Sequence, residues 1–410
     1  MTALPESKTL EGVSCLEDVL AEHRADIDIC ARCGFCKNVC PTYKFSDGFE
    51  AYSPRARLNF LRDAVDGKAE FTAGWVDRLF RCTTCERCVE VCQTMIPLVE
   101  LWEAARARAV REGAGPMPAH RRIAAAVKKT GNAFAEPLAK ARDWMLPEHR
   151  PAERADLLIF GGCTASYRNP PMLRTGLSIL QRADVPYMYL GGRELCCGSP
   201  LLRTGQDEAA AEAIRANIDM FSEAGVKRIA APCAGCSKTL KSDYPKWAKR
   251  LGKPWKVEVL HFVELYDELL AKGSIRPARP ISKVVTYHDP CHAGRAQGLF
   301  REPRAVMAAI PGLKLVEMPH HGPDSRCCGA GGGVKANYPQ LAAAIARDRV
   351  QEAMDTGAEA LVTMCPFCQA SFNQAVKELK ADFPVLGVDQ LLMESMGGAD
   401  AASAGEASRA

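Results

Sequence analysis

Cys30-Ala31-Arg32-Cys33-Gly34-Phe35-Cys36-Lys37-Asn38-Val39-Cys40-Pro41 decides the reading, because it spaces four thiols as Cys-x2-Cys-x2-Cys-x3-Cys. The same spacing returns at Cys82, Cys85, Cys88 and Cys92, there followed by Gln93 in place of proline. Cysteines this close along a loop rarely meet the geometry of a disulfide. Zinc usually takes two Cys-x-x-Cys pairs, not triplets with a fourth cysteine four residues on. Iron–sulfur clusters fit the pattern, and in paired runs the fourth cysteine serves the other cluster. One cubane [4Fe–4S] cluster is therefore expected on Cys30, Cys33, Cys36 and Cys92. A second is expected on Cys82, Cys85, Cys88 and Cys40.

Working outward, helices are expected around these loops. Leu16, Val19, Leu20 and His23 repeat at helical spacing and predict a helix over 16–28. Ser53-Pro54 reads as N-cap and first helical residue of a second, through Leu58 and Leu61 to Gly67. A third, from Thr72 past Trp75 and Leu79, delivers Cys82. The 41 residues at positions 41 to 81 hold two helices more easily than a β-hairpin, so residues 1–112 are read as an α-helical ferredoxin domain. Residues 113–154 form a helical linker interrupted by prolines, whose Arg121, Arg122, Lys128, Lys129, Lys140 and Arg142 suit a solvated amphipathic face.

Beyond it the chain repeats itself. Cys163, Cys196, Cys197, Cys233 and Cys236 are followed by Cys291, Cys327, Cys328, Cys365 and Cys368, at offsets of 128, 131 and 132 residues for the leading cysteine of each landmark. Offsets that steady mark an internal duplication. Each copy alternates strand and helix. Strands are expected at 156–160, 187–190 and 226–230 with a helix at 207–224, then strands at 283–287, 313–316 and 360–363 with a helix at 338–356. This predicts two repeated α/β domains with parallel strands, 155–275 and 276–396, with cysteines at the carboxyl ends of the strands. The tail at 397–410 is small and polar and is expected to be disordered, and Cys15, the one cysteine outside the four clusters, reads as incidental.

A cubane cluster needs four thiolates, so a fifth beside an adjacent pair calls for something else. Two neighbouring thiolates on one turn can serve two irons of an opened cluster. These sets, with phrases such as His288-Asp289-Pro290-Cys291-His292 and Cys327-Cys328-Gly329-Ala330-Gly331-Gly332-Gly333, resemble the CCG-domain family. With the ferredoxin runs in front, the chain from Cys30 to Cys368 resembles the D-type subunits of membrane-linked heterodisulfide reductases. It is also similar to the iron–sulfur subunits of glycolate oxidases, which often have an incomplete first set. The resemblance implies two noncubane [4Fe–4S] clusters, on Cys163, Cys196, Cys197, Cys233, Cys236 and on Cys291, Cys327, Cys328, Cys365, Cys368. It implies an oxidoreductase that passes electrons through two cubane clusters to this pair, where a disulfide is reduced to two thiols. The implied partner is a redox subunit, a membrane cytochrome b or a flavoprotein. The alternative is a non-catalytic electron-transfer subunit between a dehydrogenase and a cytochrome or quinone.

Four of the eight histidines, His288, His292, His320 and His321, lie near the second set, and His288 and His292 are the candidate proton donors. Arg295 and Arg326 could hold an anionic arm of the substrate or balance cluster charge. The glycine run lacks the Lys-Ser/Thr of a phosphate loop, and close backbone approach to a cluster explains it better. A net charge of +4 argues against nucleic acid. No signal peptide or bilayer-length apolar run is read, and nineteen cysteines suit a reducing compartment. The cytoplasm is expected, with docking on the inner membrane face through a partner.

Overall fold

The structure, a computed structural model, describes residues 19–398. Cys15, and the tail apart from Gly397 and Gly398, lie outside the described residues. Ser53 Oγ accepts a hydrogen bond from the Ala56 amide (3.1 Å), and Pro54 opens a helix that runs to Val65. Proline's fixed φ and missing N–H suit that first position. The next helix, Ala73–Phe80, ends just before Cys82. Leu58, Leu61, Val76, Leu79 and Phe80 pack against Trp102 of the helix Leu98–Arg111 to make an apolar core. The helix expected over 16–28 is interrupted where it is described. Val19–Glu22 and Arg24–Asp28 flank His23, whose ψ of 16° departs from helix and whose ring bonds Asp26 (2.7 Å).

Two parallel sheets follow. Strands β1 (Leu157–Ile159), β2 (Arg228–Ala231) and β3 (Glu258–His261) form one, in that order. Strands β4 (Lys283–Tyr287), β5 (Leu313–Leu315), β6 (Ala360–Thr363) and β7 (Val385–Gly387) form the other, in the order β5-β4-β6-β7. Every pairing is parallel, and β1 and β6 are buried throughout, as strands covered on both faces must be. The expected strand at 187–190 is a correction: it makes a single bridge, Leu158 to Met188, in the position β5 occupies in the other sheet. Pro186 before it and Gly191-Gly192 after it leave no length for a ladder. Strands β3 and β7 were not expected.

The linker is also more than a solvated face. Its helix Pro118–Thr130 buries Ala119, His120 and Val127, and His120 Nε2 donates to the Gly333 carbonyl (3.0 Å). Both α/β units share one continuous core. The helical unit keeps its own, which takes in Val334, Tyr338, Leu341, Ala342 and Ile345 from the second α/β unit. The ferredoxin-like region is thus seated on the second repeat.

Candidate metal centres

Strand ends and short helices set the thiols. Cys233 and Cys365 are the N-cap residues of the helices Ala234–Lys238 and Pro366–Leu379, which places Cys236 and Cys368 in the first turns. The adjacent pairs are each followed by a glycine with positive φ, Gly198 (+87°) and Gly329 (+81°), which turns the chain just after the second thiol.

Three cavities result. Cys30, Cys33, Cys36 and Cys92 line one, and Cys40, Cys82, Cys85 and Cys88 line another, so the fourth cysteine of each run does cross to the other loop. Burial, then the neighbouring Cys30, Cys33, Cys40 and Cys92 thiols, push Cys36 up to about 11. Thiols packed this way resist ionising unless a cation shares them, which is the donor chemistry of a cluster site. The third cavity, of about 350 Å³, is lined by nine of the ten cysteines of the two five-cysteine sets, all but Cys327. Both five-cysteine sets therefore open on one space.

Neighbouring thiols also perturb one another's ionisation in an unbroken series. Cys163 meets Cys196, Cys196 meets Cys197, and Cys197 meets Cys236, which meets Cys233. Cys233 then contacts Cys365 across the two repeats. From there contacts run through Cys368, Cys328 and Cys327 to Cys291, and Cys327 reaches Cys85 of the second ferredoxin run.

That junction is built by glycines and a buried arginine. A Cβ on Gly331 or Gly332 would overlap the carbonyl oxygens of Thr83 and Cys82. The close approach that the glycine run predicted is therefore to the backbone of a loop carrying candidate ligands. Arg106, fully buried, donates to Leu79 O (2.8 Å), Cys82 O (2.8 Å), Arg203 O (2.6 Å) and Gly332 O (3.1 Å), joining the helical unit to both repeats.

The polar candidates separate. His292 lines the large cavity, and its Nε2–H donates to Thr84 O (3.2 Å). Burial, then Arg203 and Lys238, hold it down to about 4, so it is neutral near pH 7. His288 sits behind Cys328 and Cys368, with one ring nitrogen within 4.8 Å of both sulfurs. Its Nδ1 accepts from Arg349 Nε (3.3 Å), while Nε2 has no partner and faces no open cavity. His320 bonds Glu352 (2.6 Å) and His321 bonds Met318 O (2.8 Å), away from the cavity. The anionic-arm role considered for two arginines does not survive. Arg295 is spent on Cys85 O (2.6 Å), Pro323 O and Ser325 O, and Arg326 pairs with Asp348 (3.4 Å). Instead Lys335 lines the cavity, with burial pulling its ammonium below the usual range. Sequence reasoning missed it, and missed Glu194, which burial pushes up to about 8 beneath the first set, with Oε1 unpaired. Neither carried a signal beyond following or preceding a cysteine pair.

Residues 157–241 and 285–373 match the cysteine-rich CCG domain, and residues 26–96 match the 4Fe-4S dicluster domain. The chain is 35% identical to the D-type subunit of the dihydromethanophenazine:CoB–CoM heterodisulfide reductase of Methanosarcina barkeri, over 93% of this chain and 97% of that one. It is 34% identical to the B-type subunit of the fumarate reductase (CoM/CoB) of Methanothermobacter marburgensis, over 88% of this chain and 71% of that one. It is 26% identical to the EtfAB:quinone oxidoreductase of Syntrophomonas wolfei, over 96% of this chain and 61% of that one.

Proposed function

The chain belongs to the family of iron–sulfur oxidoreductases formed by the D-type subunits of heterodisulfide reductases, and from that premise we propose that it is a catalytic subunit reducing a disulfide to two thiols. The observation that carries this reading is the single cavity onto which both five-cysteine sets open. A relay has no need of a shared space between its last two centres, whereas a substrate with two sulfurs does.

The donor sets suit four clusters, two cubane on the crossed ferredoxin sets and two noncubane on the five-cysteine sets. Bound there, clusters supply single electrons and iron that captures sulfur as an S–S bond breaks. The chain's own part is to hold the disulfide between the sets, keep water away with Ile123, Ala133, Phe134 and Phe367, and supply protons. Two electrons and two protons convert one disulfide into two thiols. His292, neutral and with Nε2–H tied to Thr84 O, can pass a proton only by taking one at Nδ1, so it is assigned a relay role. His288 remains a candidate donor of an N–H bond to the Cys328 and Cys368 sulfurs.

Electrons would arrive at the Cys30 set. Its Cys33 is exposed, and Ile29 (58% exposed), Phe35 (51%) and Met95 (84%) stand beside it as a rim for a redox partner, a cytochrome b or a flavoprotein. Among the described residues no helix is long and apolar enough to cross a membrane. The second reading, a relay without chemistry of its own, is favoured by the relative named for quinone reduction. Anaerobic reconstitution separates them. Roughly 16 irons per chain are expected from four four-iron clusters, and protein reduced with an artificial donor should release two thiols from each disulfide consumed. The CoB–CoM heterodisulfide, named for the Methanosarcina barkeri relative, is the first to offer. Full iron with no thiol release would leave the relay.

A further inference from the structure

The helix Pro118–Thr130 has two unlike faces. Ala119, His120 and Val127 are buried, and Ile123 lines the large cavity. On the other side Arg121, Arg122, Ala125, Lys128 and Lys129 are exposed, at the i, i+1, i+4, i+7, i+8 spacing that keeps residues on one face. Residues 113–135 contain no Asp or Glu. The acids at either end are already taken: Glu112 accepts from Arg108 (2.7 Å), and Glu136 accepts from Arg168 (3.0 Å). Arg121 spends one N–H on the Pro116 carbonyl (3.0 Å), and among the described residues none of these four cations stands in an ion pair. Exposed arginines elsewhere, such as Arg24, Arg301 and Arg347, stand against Asp28, Asp267 and Glu378.

Four long, unpaired cations with only alanine between them make a diffuse field and not a socket. A protein interface is centred on apolar anchors, and here the larger apolar residues of the helix are turned inward. A plane of mobile anionic headgroups requires charge alone. We infer that this face is a docking surface for anionic lipid headgroups, which holds the protein to a membrane by charge and without insertion. The helix then lies flat along the headgroups, and the cavity wall formed by Ile123 faces the opposite way, into the protein. Nothing in this attachment depends on the reaction assigned to that cavity.

The test is sedimentation of the reconstituted full-length protein with vesicles of phosphatidylcholine alone or of phosphatidylcholine with phosphatidylglycerol. Wild type should pellet only with the anionic vesicles, and about 0.5 M salt should release it by screening. A basic side chain near such a surface contributes about fivefold in affinity. Arg121→Gln, Arg122→Gln, Lys128→Gln and Lys129→Gln should therefore each cost about fivefold, and on the order of 500-fold when combined. Exchanging arginine and lysine at the four positions should keep binding, because charge and not geometry is read. Cluster absorbance reports whether the combined variant is folded, and the single variants give the same answer where it is not. Wild type that ignores anionic vesicles, binding that survives the salt, or a combined variant that still pellets fully overturns the assignment. Binding to polyglutamate in place of vesicles, lost in the same variant, also overturns it and gives the face to an acidic protein. Thiol release is measured apart from the vesicles, so the reductase reading stands or falls separately.

Discussion

A methyl group on Gly332 would enter the space of the Cys82 carbonyl oxygen and lie 3.0 and 3.1 Å from the Thr83 carbonyl carbon and Cα. The obstacle is backbone, and Arg106 pins that same carbonyl at 2.8 Å. Restoring ordinary contact means a retreat of roughly 1 Å between the second ferredoxin loop and the second repeat. Gly332→Ala thus adds two costs. The left-handed backbone (φ +60°) disfavours alanine by about 1 kcal/mol, and the overlap adds about 1–3 kcal/mol, as overpacking does. Gly225→Ala isolates the first, because Gly225 has φ +68° and nothing within 4 Å of a Cβ. Anaerobic denaturation of the reconstituted proteins, followed by circular dichroism and by cluster absorbance, should show Gly332→Ala losing about 2–4 kcal/mol and Gly225→Ala about 1 kcal/mol. Equal losses in the two variants would refute the close junction.

Arg106→Met strands four buried carbonyls and should lose about 3–5 kcal/mol by the same denaturation assay, with the ferredoxin-type cluster signal weakened first. Cys197→Ser and Cys328→Ser should abolish thiol release while the cubane signals persist in electron paramagnetic resonance, and undiminished release from both would remove the five-cysteine sets from the chemistry. His120 gives a pH dependence: burial holds it down to about 4 against 6.5 unfolded. Between those values the unfolded chain binds more protons, so stability rises with pH. The contribution, about 3 kcal/mol, is complete above pH 6.5 and is lost as pH falls towards 4. Denaturation midpoints across that range should lose this slope in His120→Gln.

Much of this was legible because cysteine spacing is a local record of a local constraint. The crossing of Cys40 and Cys92 between loops and the Ser53-Pro54 helix start follow from residues within a few positions of one another, and the duplicated sets from steady offsets of 128, 131 and 132 residues. Strands β3 and β7 were not, since each is three or four residues long and lies between helices, where an apolar run has no distinguishing period. Residues 187–190 misled for the opposite reason: the apolar run is there, but its partners give it a single bridge. The arginines beside the second set were left between a substrate contact and a balance of cluster charge because sequence gives proximity without direction. Arg295 and Arg326 turn to carbonyls and a carboxylate, and Lys335, eight residues past Cys327, turns to the cavity. Arg106 could not be found at all, its partners being 24 to 226 residues away.

The duplication has not left its two halves equal. Cys327 of the later copy leans on Cys85, whereas the earlier copy is reached across Cys233 and Cys365. Gly331 and Gly332 let the later copy nestle against the ferredoxin loop itself, whereas the earlier copy meets the helix Leu98–Arg111 through Gly205, against the backbone of Arg106. Charge arriving from the Cys82 loop would therefore meet the later copy first. Twin motifs in this chain then hold different offices, a gatehouse and a terminus, and exchanging them should not give back the same protein.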